Sequence, residues 1–343
     1  MSKGVLFLGP RFQQDLKVGG IIVLFEDLMS YCDKNKVEYK CIDTNLSNYS
    51  NKFYGLVSII FNTILQLKKV NHISLHGTAK DYLFLAPFVI ICSKLFNKKS
   101  SLRKFAGSFY EVFEKSNYFK KVIYTWSLKS SDYNFFETKF LVDKFKELNI
   151  NTFWLPNSRP LSNYKITNNY NKKFVFISQV KRTKGIYEFM NASIDFDDSY
   201  IFDVYGPIMD ENFKAELKKY PNVNYKGILK PDEVINTLLK YNVLLLPTYH
   251  DGEGYPGVII EAFSIGMPVI STNWNAIPEI IEDKNNGLLI PVKNIQSLVE
   301  AIDYFDEDNF GKFSINAINS FDSYDSEKVN LYFFKKINLY TNA

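Results

Sequence analysis

Val243-Leu-Leu-Leu-Pro-Thr-Tyr-His-Asp-Gly-Glu-Gly-Tyr-Pro-Gly-Val-Ile-Ile-Glu-Ala-Phe-Ser-Ile-Gly-Met-Pro-Val-Ile270 opens with four apolar residues. Val243 to Leu246 reads as a buried strand. A loop with Gly252, Gly254, Pro256 and Gly257 follows. Val258 to Ile265 then reads as a helix, ended by Gly266 and Pro268. Met267 to Ile270 begins the next apolar strand. Strand, glycine-rich loop, helix and strand make one βαβ unit, which calls for an α/β fold with a parallel sheet. Ligands of such sheets sit outside the carboxyl ends of the strands. The loop from Thr248 to Gly257 lies at that end.

Two carboxylates bracket the unit, Glu253 in the loop and Glu261 about one turn into the helix. Ionised carboxylates only accept hydrogen bonds, so they suit the vicinal hydroxyls of a ribose or a hexose. Glycines let backbone N–H groups approach a phosphate. The helix start adds a favourable partial charge for an anion. Acids that seek hydroxyls beside a helix start that seeks an anion fit a nucleotide sugar. A surface loop with an ordinary helical Glu is the plainer alternative.

The run Glu253-Gly-Tyr-Pro-Gly-Val-Ile-Ile-Glu261, with Ala262, Gly266 and Pro268-Val-Ile270 after it, resembles the Glu-seven-residues-Glu motif of retaining glycosyltransferase family 4. Pro278-Glu279-Ile-Ile281 and Asn286-Gly287-Leu-Leu-Ile-Pro291 fit the same pattern, and the resemblance is strongest over residues 172–302. It implies the GT-B fold, two Rossmann-like parallel-sheet domains facing a cleft. Residues 1–157 would form the acceptor-side domain and 158–323 the nucleotide-sugar domain. A last helix within 324–343 would pack back onto the first. The implied activity is retaining, metal-independent transfer of a hexose from a nucleotide-diphosphate sugar, with a UDP-sugar favoured and no cofactor. The bacterial surface-polysaccharide type of the family points to a polyprenyl-diphosphate-linked or other glycan acceptor.

The resemblance also assigns residues. Glu253 and Lys184 would be catalytic. The donor would meet Gly19, Gly20, Arg182, Gly185, Gly206, Gly254, Tyr255, Gly257 and Glu261. Relatives carry an Arg where this chain has Gln179, so half of the usual phosphate clamp is missing, with Lys181 and Arg182 as the candidates to reach the same phosphate. A His usual near residue 105 is absent as well. Phe105 and Ala106 stand there, which leaves Arg103, Lys104 and His76 as the acceptor-side candidates.

Composition sets the bounds. The chain has 343 residues, 46% apolar and 23% charged, which suits two ordinary globular domains. Three cysteines without metal-like spacing argue against a disulfide framework and for a reducing, cytoplasmic setting. No stretch reads as a signal peptide or a membrane span. The longest apolar run, Tyr82 to Cys92, is too short and contains Pro87. Tyr54 to Leu67 is apolar with scattered polar residues and reads as a buried helix. Residues 1–157 carry 22 Lys and Arg against 13 Asp and Glu, a net +9, and the remainder carries −5. An anionic partner or a solvated lysine-rich surface would both account for that half.

Other motifs sort themselves quickly. His72 and His76 have helical metal spacing but sit among strand residues and before Gly77. Phe109, Tyr110, Phe113, Tyr118 and Phe119 alternate with Lys115, Lys120 and Lys121. That mixture suits either peripheral contact with an anionic membrane or a core-facing helix with solvated lysines. Phe135 to Leu148 reads as helical. Asp195-Phe-Asp197 precedes an apolar strand rather than following one, so it reads as an acidic turn, not a metal site. No G-x-G-x-x-G fingerprint supports a nicotinamide enzyme, and nothing suggests a nucleic-acid partner. A nucleotide-sugar epimerase of GT-B fold and a non-catalytic nucleotide-sugar-binding protein are the competing functions.

Overall fold

The computed structural model describes residues 4–12, 20–165 and 169–339. The chain divides into two compact units, Met1–Ser158 with Ser326–Ala343 and Arg159–Asp325. Each holds a six-stranded sheet whose strand pairs are all parallel.

In the first unit the strands are β1 (Val5–Gly9), β2 (Tyr39–Asp43), β3 (His72–Gly77), β4 (Lys99–Lys104), β5 (Tyr133–Phe136) and β6 (Thr152–Trp154), in spatial order β2-β1-β3-β4-β5-β6. Its helices are α1 (Gly20–Lys34), α2 (Lys52–Leu67), α3 (Ala79–Leu95), α4 (Phe109–Glu114), α5 (Tyr118–Ser130) and α6 (Lys139–Phe145). β1 and β3 are buried throughout, as continuous apolar strands of a two-sided parallel sheet should be. Ile59, Tyr82, Val89, Phe109, Tyr124 and Phe145, from α2 to α6, cover one face. The other face is covered by Phe25 and Leu28 of α1 together with Phe333 and Phe334. That last pair belongs to the last helix among the described residues, Ser326–Lys336, whose Glu327 meets Lys34 at 2.5 Å.

Two expectations are corrected here. Phe135 and Phe136 belong to β5, not to a helix. The aromatic pair is buried in the sheet, and helix begins only at Lys139, where Thr138 Oγ1 accepts from the Leu141 N–H at 3.2 Å. The segment Tyr54 to Leu67 is helical but not buried. Only Gly55, Ile59, Thr63 and Leu67, four residues apart, face the sheet. Phe53 and Phe61 are 78% and 61% exposed, and Tyr54, Val57 and Leu65 also point outward. The helix forms the outer layer, so its second apolar side has no protein over it among the described residues.

In the second unit the strands are β7 (Lys173–Ile177), β8 (Ile201–Tyr205), β9 (Val223–Gly227), β10 (Val243–Leu246), β11 (Val269–Thr272) and β12 (Gly287–Ile290), ordered β12-β11-β10-β7-β8-β9. The helices are α7 (Ile186–Ala192), α8 (Phe213–Leu217), α9 (Val234–Leu238), α10 (Gly257–Ser264), α11 (Ile295–Asp303) and α12 (Glu307–Ser320), and Ser326–Lys336 is α13. The stretch 243–270 is the βαβ unit expected of it, with Leu244, Leu245 and Leu246 in register with Val269, Ile270 and Ser271. Gly266 ends its helix at φ +79°, a left-handed geometry that glycine adopts without strain. Because β11, β10, β7 and β8 are neighbours and parallel, the loops after them emerge at one end of the sheet.

Candidate donor site

Two of those loops are stitched together by backbone. Tyr249 N–H donates to Thr183 O at 2.8 Å, and Thr248 Oγ1 lies 3.3 Å from the same oxygen. Gly185 makes the approach possible. Its φ is +82°, and a Cβ there would stand 2.1 Å from Pro247 O. Gly206 after β8 has the same kind of role, with φ +136° and a virtual Cβ 1.8 Å from Ser178 O. Both glycines, expected at the donor, are required first by backbone packing.

This stitching brings Lys184 to Glu253. Lys184 Nζ donates to Glu253 Oε2, and Thr248 Oγ1 donates to the same oxygen at 2.8 Å. The two charged side chains are only 12% and 8% exposed. A pair held this far from water loses hydration that its mutual attraction must offset. The carboxylate is therefore fixed by a cation and a hydroxyl.

Lys181 lies nearby, with Nζ 3.5 Å from His250 Nε2. Burial lowers the Lys181 pKa, and the Lys184 charge lowers it further. His250 is also held below the ordinary histidine value, by burial first and then by Lys181 and Lys184. Its Nδ1 stands 3.4 Å from Thr183 Oγ1, and its backbone oxygen accepts from Trp274 Nε1 at 3.1 Å. Arg182, the expected partner of Lys184, turns elsewhere. It is exposed and lies 4.3 Å over the ring of Tyr187. Lys181 is the second cation beside Lys184.

Glu261 lies in α10, which begins where the Glu253 loop ends. Its Oε1 accepts from Arg159 Nε at 2.6 Å. Gly257, the first residue of α10, has Arg159 Nη2 1.9 Å from where a Cβ would be. Its bare side is filled by a guanidinium. Gly254 is buried in the loop. Tyr255 is buried too, and its hydroxyl donates to Glu279 Oε2 at 2.5 Å, so its side chain props the loop. Gly20 opens α1, no described atom lies within 4 Å of where its Cβ would stand, and Gly19 lies outside the described residues.

The acceptor-side candidates are buried inside the first unit. β4 is an interior strand, so side chains at its carboxyl end turn into the two covered layers. Arg103 donates to Pro156 O at 3.3 Å and lies over the Phe105 ring. Lys104 donates to Phe105 O, and burial brings its pKa down to about 8. His76 is ringed by Phe7, Phe25, Phe105 and Phe333, with Nε2 2.9 Å from Ser74 Oγ. Side chains so covered do not present polar atoms to a sugar. Among the described residues no His, Cys, Asp or Glu cluster has the makings of a metal site.

Sequence reasoning missed Thr248, His250 and Arg159. Thr248 and His250 stand inside the loop that the motif marks, which was a usable signal. Arg159 lies 102 residues from Glu261, and only the fold joins them.

A family model, Glycosyl transferases group 1, matches residues 163–319, the stretch that holds Lys181, Lys184, Thr248, Glu253 and Glu261. The chain is a glycosyltransferase. Over 290 residues the enzyme is 25% identical to an uncharacterized 41.2 kDa protein in the cps region of Klebsiella pneumoniae, covering 78% of each chain. It is 31% identical over 140 residues to a putative teichuronic acid biosynthesis glycosyltransferase of Bacillus subtilis, covering 40% of this chain and 34% of that one. Among solved structures, Anabaena HepE in complex with UDP superposes with a TM-score of 0.74 at 14% identity, over 97% and 99% of the two chains. The two parallel six-stranded sheets of this glycosyltransferase are those of the GT-B fold.

Proposed function

We propose that this glycosyltransferase moves a hexose from a nucleotide-diphosphate sugar, a UDP-sugar by preference, to a growing surface glycan, with retention and without a metal. One observation carries the reading: Lys184, Glu253 and Thr248 converge, with Lys181 beside them, at the carboxyl end of the second sheet. Two lysines there would balance the diphosphate charge that grows as the donor's C1–O bond breaks. Glu253 would orient the hexose and Glu261 the ribose hydroxyls. The acceptor hydroxyl would form its bond to C1 on the same face, and its proton would pass to the departing diphosphate. The relative named for teichuronic acid and the neighbour that holds UDP agree with this donor and product class.

A lipid-linked acceptor belongs to the same proposal. The outward sides of α2, α3 and α5 carry Phe53, Phe61, Phe84 and Phe119 in the open. Those three helices together hold six lysines and one acid. An apolar, basic face fits peripheral contact with the anionic surface where such an acceptor resides.

The test is product analysis with UDP-, GDP-, CDP- and ADP-hexoses and a short glycolipid acceptor. Transfer with the donor's anomeric configuration kept is the expected result. Inversion would reject retention. An isomerised sugar from donor alone would favour an epimerase, and binding with neither outcome would favour a non-catalytic binder.

A further inference from the structure

Arg159 is the first residue of the second unit and is held by its backbone. Its N–H donates to Tyr324 O at 3.0 Å, and it forms a parallel bridge with Asp325. The segments by which the chain enters and leaves the unit thus clamp one arginine. Its Nε holds Glu261 Oε1 at 2.6 Å, with the two side chains only 12% and 18% exposed. Its Nη2 fills the bare side of Gly257.

The electrostatics of this placement are unusual. A cation beside the positive end of a helix is disfavoured, because helix starts prefer anions. Glu261, one turn further on, compensates through Oε1. A planar guanidinium can donate from Nε on one edge while Nη2 lies flat on the helix start; a lysine ammonium has no second edge.

We propose that Arg159 is a positioning residue of the donor site. It grips Oε1 of Glu261 so that Oε2 meets the vicinal hydroxyls of the donor's ribose, and Gly257 is bare to admit the guanidinium. This rests on the donor reading of Glu261 given above. Arg159 acts through the carboxylate, so its loss blurs recognition of the ribose.

Calorimetry on the full chain tests it. UDP, GDP, CDP and ADP are titrated first, then the 2′-deoxy form of whichever binds tightest. The wild type is expected to prefer the ribonucleotide by about tenfold or more, the scale of one hydrogen bond to a charged group. Arg159→Gln should bind about tenfold more weakly and lose most of that preference. Arg159→Lys should recover part of the affinity, and donor KM should rise more than kcat falls. Gly257→Ala, which keeps every charge and crowds only the flexible end of Arg159, should shift preference the same way. If no nucleotide binds the wild type, or if Glu261→Gln keeps the ribose preference, the donor reading itself is overturned. If Glu261→Gln loses the preference while Arg159→Gln and Gly257→Ala both keep it, this inference alone is overturned.

Discussion

Lys184 is where one side chain carries most of the proposed chemistry. It already faces a carboxylate, so its ammonium is desolvated and oriented before any donor arrives. Lys184→Ala should lower turnover by about a hundredfold or more, the scale for losing one charge-stabilising group. It also leaves Glu253 buried without its cation, so a fall in melting temperature should accompany it. Turnover near that of the wild type, measured below the melting transition, would remove Lys184 from the chemistry. A second prediction concerns pH. His72 Nε2 lies 2.8 Å from Ser101 Oγ, and burial brings its pKa down to about 3. His76 is also held well below the ordinary value, by burial and then by the Arg103 charge. Both are neutral in the fold and gain a proton on unfolding once the pH drops below about 6.5. Stability is therefore full above that pH and declines below it, because the unfolded chain binds more protons. From pH 6.5 to 5 His72 should cost about 2 kcal/mol, and His76 acts in the same direction. Urea melts of His72→Gln across that range should show about 2 kcal/mol less loss than the wild type. An unchanged slope would mean that His72 is charged in the fold.

Elements explain which glycines matter. Gly206 and Gly227 both have positive φ, +136° and +98°. A Cβ on Gly206 meets the backbone oxygen of Ser178, whereas one on Gly227 meets nothing within 4 Å. Gly227→Ala should cost only backbone strain, about 1–2 kcal/mol. Gly206→Ala adds displacement of a loop and should cost about 3 kcal/mol or more. Denaturant midpoints of the two variants decide the matter, and equal losses would mean that the Ser178 contact yields freely. The difference was invisible in sequence, where both are glycines closing a strand. What sequence did disclose follows the same logic. The run 243–270 was legible because a buried strand, a glycine-rich loop and a helix follow one another without insertion, and because Glu253 and Glu261 sit on that unit. β5 was misread because Phe135 and Phe136 satisfy a helical and a strand pattern equally. The turn of Arg182 onto Tyr187, and of Lys181 toward the site, depends on side-chain packing that no spacing encodes. Arg159 depends on the return of the chain past Tyr324.

At the scale of the whole molecule, an outer helix with apolar residues on both sides needs a second apolar environment. α2 has Lys52 as its one charged residue, yet it buries only a stripe of four residues. Phe84 and Leu95 of α3 and Tyr118, Phe119 and Val122 of α5 stand exposed on helices that cover the same face of the sheet. No helix among the described residues is long and apolar enough to cross a membrane. Apolar burial contributes about 25 cal/mol per Å² and each nearby lysine about 1 kcal/mol at an anionic surface. In the proposed contact several rings and six lysines would act together, and the two parts would differ in their response to salt. Flotation with vesicles containing an anionic phospholipid should capture the protein at low salt and retain a fraction at high salt, where screening removes the lysine part. Neutral vesicles should capture less. Phe53→Ser with Phe61→Ser and Phe84→Ser should abolish the salt-resistant fraction while leaving turnover of a water-soluble acceptor unchanged, since none of the three belongs to the second unit. Equal flotation of the variant and the wild type would show that these rings meet something other than lipid.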